Sequence, residues 1–311
     1  MRVLIPGGTG FIGRALVDDL VRSGDEPIIL TRRPASDTGL PAAAEPVQWD
    51  AQSLGDWAAI VSSVDAIVNL AGENIGSWPW TQAKKLRIAQ SRENTGSLLV
   101  KALSRAHKRP SVFLQSSAIG YYGPSEGQAI DESAPNGHDW LADVASLWEA
   151  STQEVEEMGV RRAIMRTGLV LGRGGGLLPR LMLPFRLFAG GRMGTGRQTM
   201  SWIHIEDTVR AIRYLIEHPE ATGPVNLTAP GPVTNTEFSR TLGSVMRRRA
   251  WFPVPAWLLR IVLGEMSVLV LDGQRVHPRR LESMGFTFRY SRLDDALNDL
   301  LRPKLTSAAT G

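Results

Sequence analysis

The segment Pro6-Gly7-Gly8-Thr9-Gly10-Phe11-Ile12-Gly13 carries the strongest chemical signal in the chain. It follows the apolar run Val3 to Ile5 and opens a stretch in which Ala15, Leu16, Leu20 and Val21 recur at three- and four-residue intervals. That pattern predicts a strand, a tight turn and a helix in succession. Glycines at 7, 10 and 13 let the turn close, let backbone approach a diphosphate and let the helix pack near the strand, while unpaired N–H groups at the helix start face an anion. Gly7, Thr9, Gly10, Phe11, Ile12 and Gly13 are therefore the expected phosphate-binding residues. A glycine-rich turn that binds nothing is the bland alternative.

The next strand, Pro27 to Leu30, ends in Thr31-Arg32-Arg33 where an acidic residue would serve the ribose diol of NAD. Two guanidinium forks and a hydroxyl suit a 2′-phosphate instead, through paired charge-assisted bonds. The expected cofactor is NADP(H), with Thr31, Arg32 and Arg33 at its adenosine end. Two arginines that merely face solvent are the alternative.

The Gly-x-x-Gly-x-x-Gly spacing, with Asn69-Leu70-Ala71-Gly72, Ser116-Ser117 and Trp202-Ile203-His204-Ile205-Glu206-Asp207, resembles extended, epimerase-like short-chain dehydrogenases/reductases. Gly72-Glu73-Asn74-Ile75, Ser91-Arg92, Gly120-Tyr121-Tyr122-Gly123, Trp148-Glu149 and Leu271-Asp272-Gly273-Gln274-Arg275-Val276 narrow the resemblance to one atypical subgroup, the "epimerase family" proteins, some of which carry an old cell-division-inhibitor label. The resemblance covers nearly the whole chain. It implies that Asp50 reaches the adenine edge, that Leu70, Ala71 and Gly72 pass beneath adenosine and pyrophosphate, that Arg92 faces the phosphates from the side, and that Arg166 and Thr167 lie near the nicotinamide. It also implies that Pro184-Phe185-Arg186, Trp202-Ile203-His204 and Gln274-Arg275 converge on the substrate side, although His204 on its own reads as a backbone-bonded junction residue.

The Tyr-x-x-x-Lys pair of working superfamily members, a phenol that exchanges a proton and a lysine that tunes it, is missing. Aligned on Glu149, its positions fall on Leu141 and Ala145. The serine survives as Ser117, with Ser116 an alternative register, and Tyr121 and Tyr122 are the substitutes at the end of the fifth strand. Both rings could equally cap the core. Three classes of function follow: an NADP(H)-dependent oxidoreductase or epimerase for an unknown small molecule, a non-catalytic NADP(H)-binding redox sensor or interaction protein, and a structural or cell-division protein without cofactor. The phosphate turn opposes the last.

The elements that must hold these residues read as repeated βαβ units, so the fold class is α/β: a Rossmann-type doubly wound parallel sheet with a smaller, mostly helical C-terminal lobe. Strands are expected at Val3–Ile5, Pro27–Leu30, Pro46–Trp49, Ala66–Leu70, Val112–Gln115, Arg162–Arg166 and Val225–Leu227. Helices are expected at Ile12–Ser23, Leu54–Ser62, Trp80–Ala106, Leu141–Met158 and Ile205–His218. Residues 1–228 form the expected nucleotide domain, with a glycine- and proline-rich excursion at 172–201; 229–302 form the lobe and 303–311 a frayed tail.

Composition sets the outer limits. At 311 residues, 43% hydrophobic and 21% charged, the chain is an ordinary globular one. No cysteine is present, which removes disulfides, Cys-held zinc, iron–sulfur clusters and thiol nucleophiles, and no metal site is expected. The net charge of +4 is small, and Arg247-Arg248-Arg249 and Arg279-Arg280 read as solvated helix surface or as a phosphate-facing patch. Nucleic acid is not an expected partner. No run approaches a membrane span and no secretory leader is visible, so a cytoplasmic protein is expected. The apolar stripe Pro255 to Leu263 reads as core and not as a membrane anchor, being well short of a span and lacking a strongly charged opposite face, with a dimer seam as alternative; no membrane partner is expected, and monomer and homodimer both stay open.

Overall fold

The computed structural model of the chain describes residues 1–125 and 127–302, so the expected tail lies outside the described residues. The first half alternates β1 (Arg2–Leu4), α1 (Phe11–Arg22), β2 (Glu26–Thr31), β3 (Glu45–Gln48), β4 (Ala66–Asn69), α2 (Gln82–Arg105) and β5 (Val112–Ala118). There follow β6 (Ala129–Ile130), α3 (Trp140–Ala150), α4 (Glu154–Glu157), β7 (Arg161–Thr167), β8 (Leu169–Leu171), α5 (Leu178–Arg186), β9 (Thr199–Met200), β10 (Trp202–His204), α6 (Ile205–Glu217) and β11 (Gly223–Leu227). The chain closes with β12 (Val233–Thr234), α7 (Asn235–Met246), α8 (Ala256–Leu263), α9 (Val268–Leu271), β13 (Arg275–Val276), α10 (Arg279–Ser283) and α11 (Leu293–Leu301).

Seven strands make one parallel sheet in the order β11-β7-β5-β4-β1-β2-β3. The order reverses between β1 and β4, and the crevice at such a switch point is where ligands bind in open α/β sheets. Strand alternation splits the core. Val3, Ile5 and Ile29 face Leu16 and Leu20 of α1 and Ile212 of α6, whereas Leu4, Ile28 and Ile67 face Leu99 and Leu103 of α2.

Local chemistry fixes the helix starts next to the crevice. Thr81 and Asp139 cap α2 and α3 by accepting the N–H groups of Lys84 and Ala142 at 3.2 and 2.8 Å. At α1 the cap is Gly10, which has no side chain to do this.

All seven expected sheet strands form; the starts at Ala66 and Val112 and the end at Leu227 fall as expected, and the other ends shift by one to three residues. Two helices differ. Residues 56–63 wind as a 3₁₀ helix held by the packing of buried Trp57 and Val61. The helix expected over 141–158 stops at Ala150, because the Ser151 and Thr152 hydroxyls turn back onto the carbonyls of Trp148 and Glu149 at 2.7 and 3.5 Å.

The excursion at 172–201 is not merely loop, since it contains α5, and Leu178 and Phe185 share one apolar core with Phe238 and Leu242 of α7 and Leu297 of α11. The stripe expected as core, Pro255 to Leu263, does form α8, but none of its helical residues is buried. The rest of the lobe already fills that core without it. No helix among the described residues is long and apolar enough to cross a membrane.

Candidate functional site

The glycine turn is built around contacts that only glycine allows. Gly7 has φ +82°, and a Cβ there would stand 2.7 Å from the Leu70 carbonyl and 2.8 Å from the Ala71 nitrogen. A Cβ on Gly13 would stand 2.6 Å from Gly7 O. The turn is therefore pressed between the end of β4 and the start of α1, and Leu70 N–H donates to Pro6 O at 2.9 Å. The first backbone bond of α1 runs from Arg14 N–H to Gly10 O at 2.9 Å, and no side chain caps the helix. The N–H groups of Phe11, Ile12 and Gly13 lie before that bond, so an anion is their natural acceptor.

A cleft of about 640 Å³ opens at this point. Its lining includes Gly7, Thr9 and Gly10 from the turn, Thr31 and Arg32 from the end of β2, Asp50, and Leu70, Ala71 and Gly72 from the end of β4. Thr31 is buried and its hydroxyl accepts the Arg33 N–H at 3.1 Å, which bends the chain so that Arg32 faces the cleft. Arg33 is exposed and does not line it. Arg14 secures this rim, donating from Nε to Thr9 O at 3.1 Å and from Nη1 to Gly39 O at 2.9 Å.

Asp50 sits at the far end, its carboxyl pushed down to about 2 by the Ser53 hydroxyl and then by the N–H groups of Gln52 and Ser53. It is an acceptor at any physiological pH. Arg92 lies behind Gly72, not in the cleft. Its Nη1 donates to Glu73 O at 3.2 Å and Ile88 O at 2.9 Å, its guanidinium stacks 4.6 Å from the Trp148 ring, and burial pushes it down to about 10. Arg87, Gln90 and Asn94 of α2 line the cleft in its place. None of these three is an expected site residue, although their spacing of three and four residues is the signal of a single helix face.

Phe11 has a second role beside its N–H. Its ring lies against the backbone of the excursion, where an added Cβ on Gly172 or Gly175 would come within 2.6 or 2.8 Å of it.

Along the same carboxyl edge of the sheet, register sets Ser117 of β5 opposite Arg166 of β7. Between them stands Glu149 of α3, which is not among the expected site residues. The Ser117 hydroxyl donates to Glu149 Oε1 at 2.6 Å. Arg166 donates from Nε to Oε1 and from Nη2 to Oε2 of the same carboxylate, both at 2.9 Å. Its third nitrogen, Nη1, donates to the Tyr122 hydroxyl at 3.1 Å, which in turn donates to Asn226 Oδ1 at 2.7 Å. Burial pushes the Tyr122 phenol up to about 12 even against the pull of Arg166.

The protons of Ser117 and Tyr122 are thus committed inside this network. Tyr121 differs. Its ring covers the Arg166 guanidinium at 3.4 Å, it is only partly buried, and its hydroxyl has no hydrogen bond among the described residues. Ser116 is buried beside them, and the Thr167 hydroxyl donates to Met165 O at 3.3 Å. Leu141 abuts Gly120 and Ala145 is buried, so no phenol or ammonium stands on α3 at those positions. On the substrate side, His204 accepts the Glu206 N–H on Nδ1 at 3.1 Å and so caps α6.

Fold and site together define a Rossmann-type protein with a dinucleotide cleft at the sheet's switch point. Residues 3–227 match the NAD dependent epimerase/dehydratase family, and the chain belongs to that family. Residues 254–300 match a domain of unknown function, DUF1731. The epimerase family protein YfhF of Bacillus subtilis is 38% identical over 98% of this chain and 100% of its own length. A chloroplastic epimerase family protein of Arabidopsis thaliana, an SDR39U1 homolog, is 39% identical over 97% of this chain and 87% of its own. The crystal structure of human epimerase family protein SDR39U1 with NADPH superposes with a TM-score of 0.88 at 35% identity, covering 96% of this chain and 99% of that one.

Proposed function

We propose that the chain is an NADP(H)-dependent oxidoreductase of the epimerase-like type that acts on a small molecule, with Tyr121 as its proton-exchanging group. The observation that carries the cofactor is the uncapped start of α1 facing a cleft whose β2 rim presents Arg32 and no carboxylate. The NADPH in the human relative supports the same reading. Residues that fit the group are Gly7, Thr9, Gly10, Phe11, Ile12 and Gly13 for the diphosphate, Thr31 and Arg32 for the 2′-phosphate, Asp50 for the adenine edge, and Leu70, Ala71 and Gly72 beneath. Arg33 contributes charge from outside. When bound, such a cofactor supplies hydride transfer.

The chain's own residues would then position and protonate. Glu149 holds Arg166 rigid in two directions, and Arg166 holds the Tyr121 ring. Tyr121 is the hydroxyl left free to exchange a proton with substrate. Ser116 and Thr167 shape the nicotinamide end. Residues 1–228 serve the nucleotide, while the apolar core common to 172–201 and 229–302 would carry the substrate side.

Titration with NADPH against NADH tests the cofactor. Loss of two charge-assisted bonds in Arg32→Ala is expected to weaken NADPH about 10- to 100-fold and leave NADH unchanged. Equal affinity of the native chain for both nucleotides would contradict the assignment. Once a screen of sugars, aldehydes and quinones yields turnover, Tyr121→Phe is expected to lower kcat at least about 100-fold with NADPH affinity intact. An unchanged kcat would move the proton elsewhere.

The second reading, a non-catalytic NADP(H)-binding sensor or interaction protein, is favoured by one observation: Leu141 and Ala145 occupy the positions of the phenol and ammonium. Tight NADPH binding with no turnover in the same screen would support it.

A further inference from the structure

Nine of the twelve large apolar side chains exposed among the described residues fall in two segments, 183–188 and 251–262. The segments are one surface. Phe252 N–H donates to Gly190 O at 3.1 Å, Val254 N–H to Arg192 O at 2.9 Å, and the Arg248 guanidinium lies 4.3 Å over the Phe188 ring. Trp251, Trp257 and Ile261 are 69%, 62% and 73% exposed. Seven of the eight residues of α8 are apolar, Arg260 being the exception, and none is buried. A helix apolar on nearly every side belongs in an apolar surrounding, which the other described residues do not complete.

The charge along these segments is of one sign, with Glu265, paired to Lys85, and Asp272, near Arg260, standing only at their margin. Residues 173–204 and 238–264 together hold ten arginines and no aspartate or glutamate. Arg186, Arg247, Arg248, Arg249 and Arg260 are all exposed. This charge argues against a second copy, because a two-fold contact would set the same arginines against each other. Indoles and aliphatic side chains flanked by long cationic ones are instead the chemistry of the boundary between lipid headgroups and acyl chains.

The geometry points to a peripheral membrane-binding face: α8 with Trp251, Phe252, Leu187 and Phe188 enters the headgroup layer of an anionic bilayer, and the arginines meet lipid phosphates. The expectation of no membrane partner rests on a stripe too short to span and without a strongly charged opposite face; a peripheral contact needs no span, and the exposed arginines that flank α8 supply the charge its own far face lacks. The face is independent of the nucleotide cleft, so the proposal goes beyond the NADP(H) reading and survives its failure.

Co-sedimentation of the full chain with phosphatidylcholine vesicles, with and without about one third phosphatidylglycerol, tests it. Binding is expected only to the anionic vesicles and to weaken with added salt. Trp257→Ser with Ile261→Ser should lower the partition coefficient at least about tenfold, and each of Arg247, Arg248 and Arg249 changed to Gln about fivefold. NADPH affinity and Tm serve as folding controls and should not move. Failure to sediment with either vesicle would overturn the proposal, as would equal binding to both. A concentration-dependent dimer that the Trp257→Ser, Ile261→Ser variant abolishes would overturn it in favour of a second copy.

Discussion

Gly7→Ala is expected to abolish NADPH binding and to lower the stability of the chain by about 3 kcal/mol or more. Two costs add at this position. A left-handed backbone costs an L-residue about 1–2 kcal/mol, and forcing a methyl into a closed contact costs about 1–3 more. Both apply, because φ is +82° and the new Cβ would meet the Leu70 carbonyl at 2.7 Å. Neither partner can yield easily, since each is backbone. Relief requires the turn to lift off β4, and the same movement tilts the start of α1 away from the cleft. Gly13→Ala should likewise remove binding, through its 2.6 Å approach to Gly7 O, although its helical backbone spares it the first cost. Urea unfolding and nucleotide titration read the two effects separately. If Gly7→Ala bound NADPH normally, the turn would not be the phosphate site.

Arg166→Met should cost about 3–5 kcal/mol, the usual penalty for leaving a buried charge alone. Glu149 would retain only the Ser117 hydroxyl at 2.6 Å, in a place where its side chain is 10% exposed. Glu149→Gln strands the Arg166 guanidinium in the same way. The double variant Glu149→Gln, Arg166→Met is expected to be more stable than either single one, because no buried charge remains in it. Such recovery, read from urea midpoints at constant m-value, identifies an ion pair whose parts matter chiefly to each other. Additive losses would mean that each residue holds something else in place. The variants also separate architecture from chemistry: a double variant that regains stability but not turnover would assign to the pair the positioning of Tyr121.

The part of the molecule nearest the N-terminus was the most legible from sequence. Three glycines after an apolar run allow one turn, and Thr31-Arg32-Arg33 is a direct continuation of the next strand, so local chain geometry carries both to the crevice. Arg92 shows where such reasoning stops. Its helix and its neighbourhood were foreseen, but a guanidinium has many possible directions, and the Trp148 ring and two carbonyls draw it behind Gly72. Glu149 and Arg166 were each in view, one as an alignment mark and the other as a nicotinamide neighbour. Their union depends on how α3 packs across β5 and β7, which periodicity along either element does not reveal. A buried glutamate in an apolar helix and a buried arginine in an apolar strand do, taken together, call for a partner of opposite sign.

Segment 255–263 misled for a related reason. Apolar spacing shows that a face needs covering and not what covers it, and α5, α7 and α11 close the lobe's core without α8.

The central claim is that a nucleotide's phosphates rest on the free N–H groups that begin α1. Amide NMR spectra of the full chain, recorded as NADPH is added and again with NADH, test it directly. Large shifts are expected at Gly10, Phe11, Ile12 and Gly13 with either nucleotide, and a shift of the Arg32 side-chain signals with NADPH alone. Saturation by NADPH that leaves the amides of residues 10–13 unmoved would contradict it.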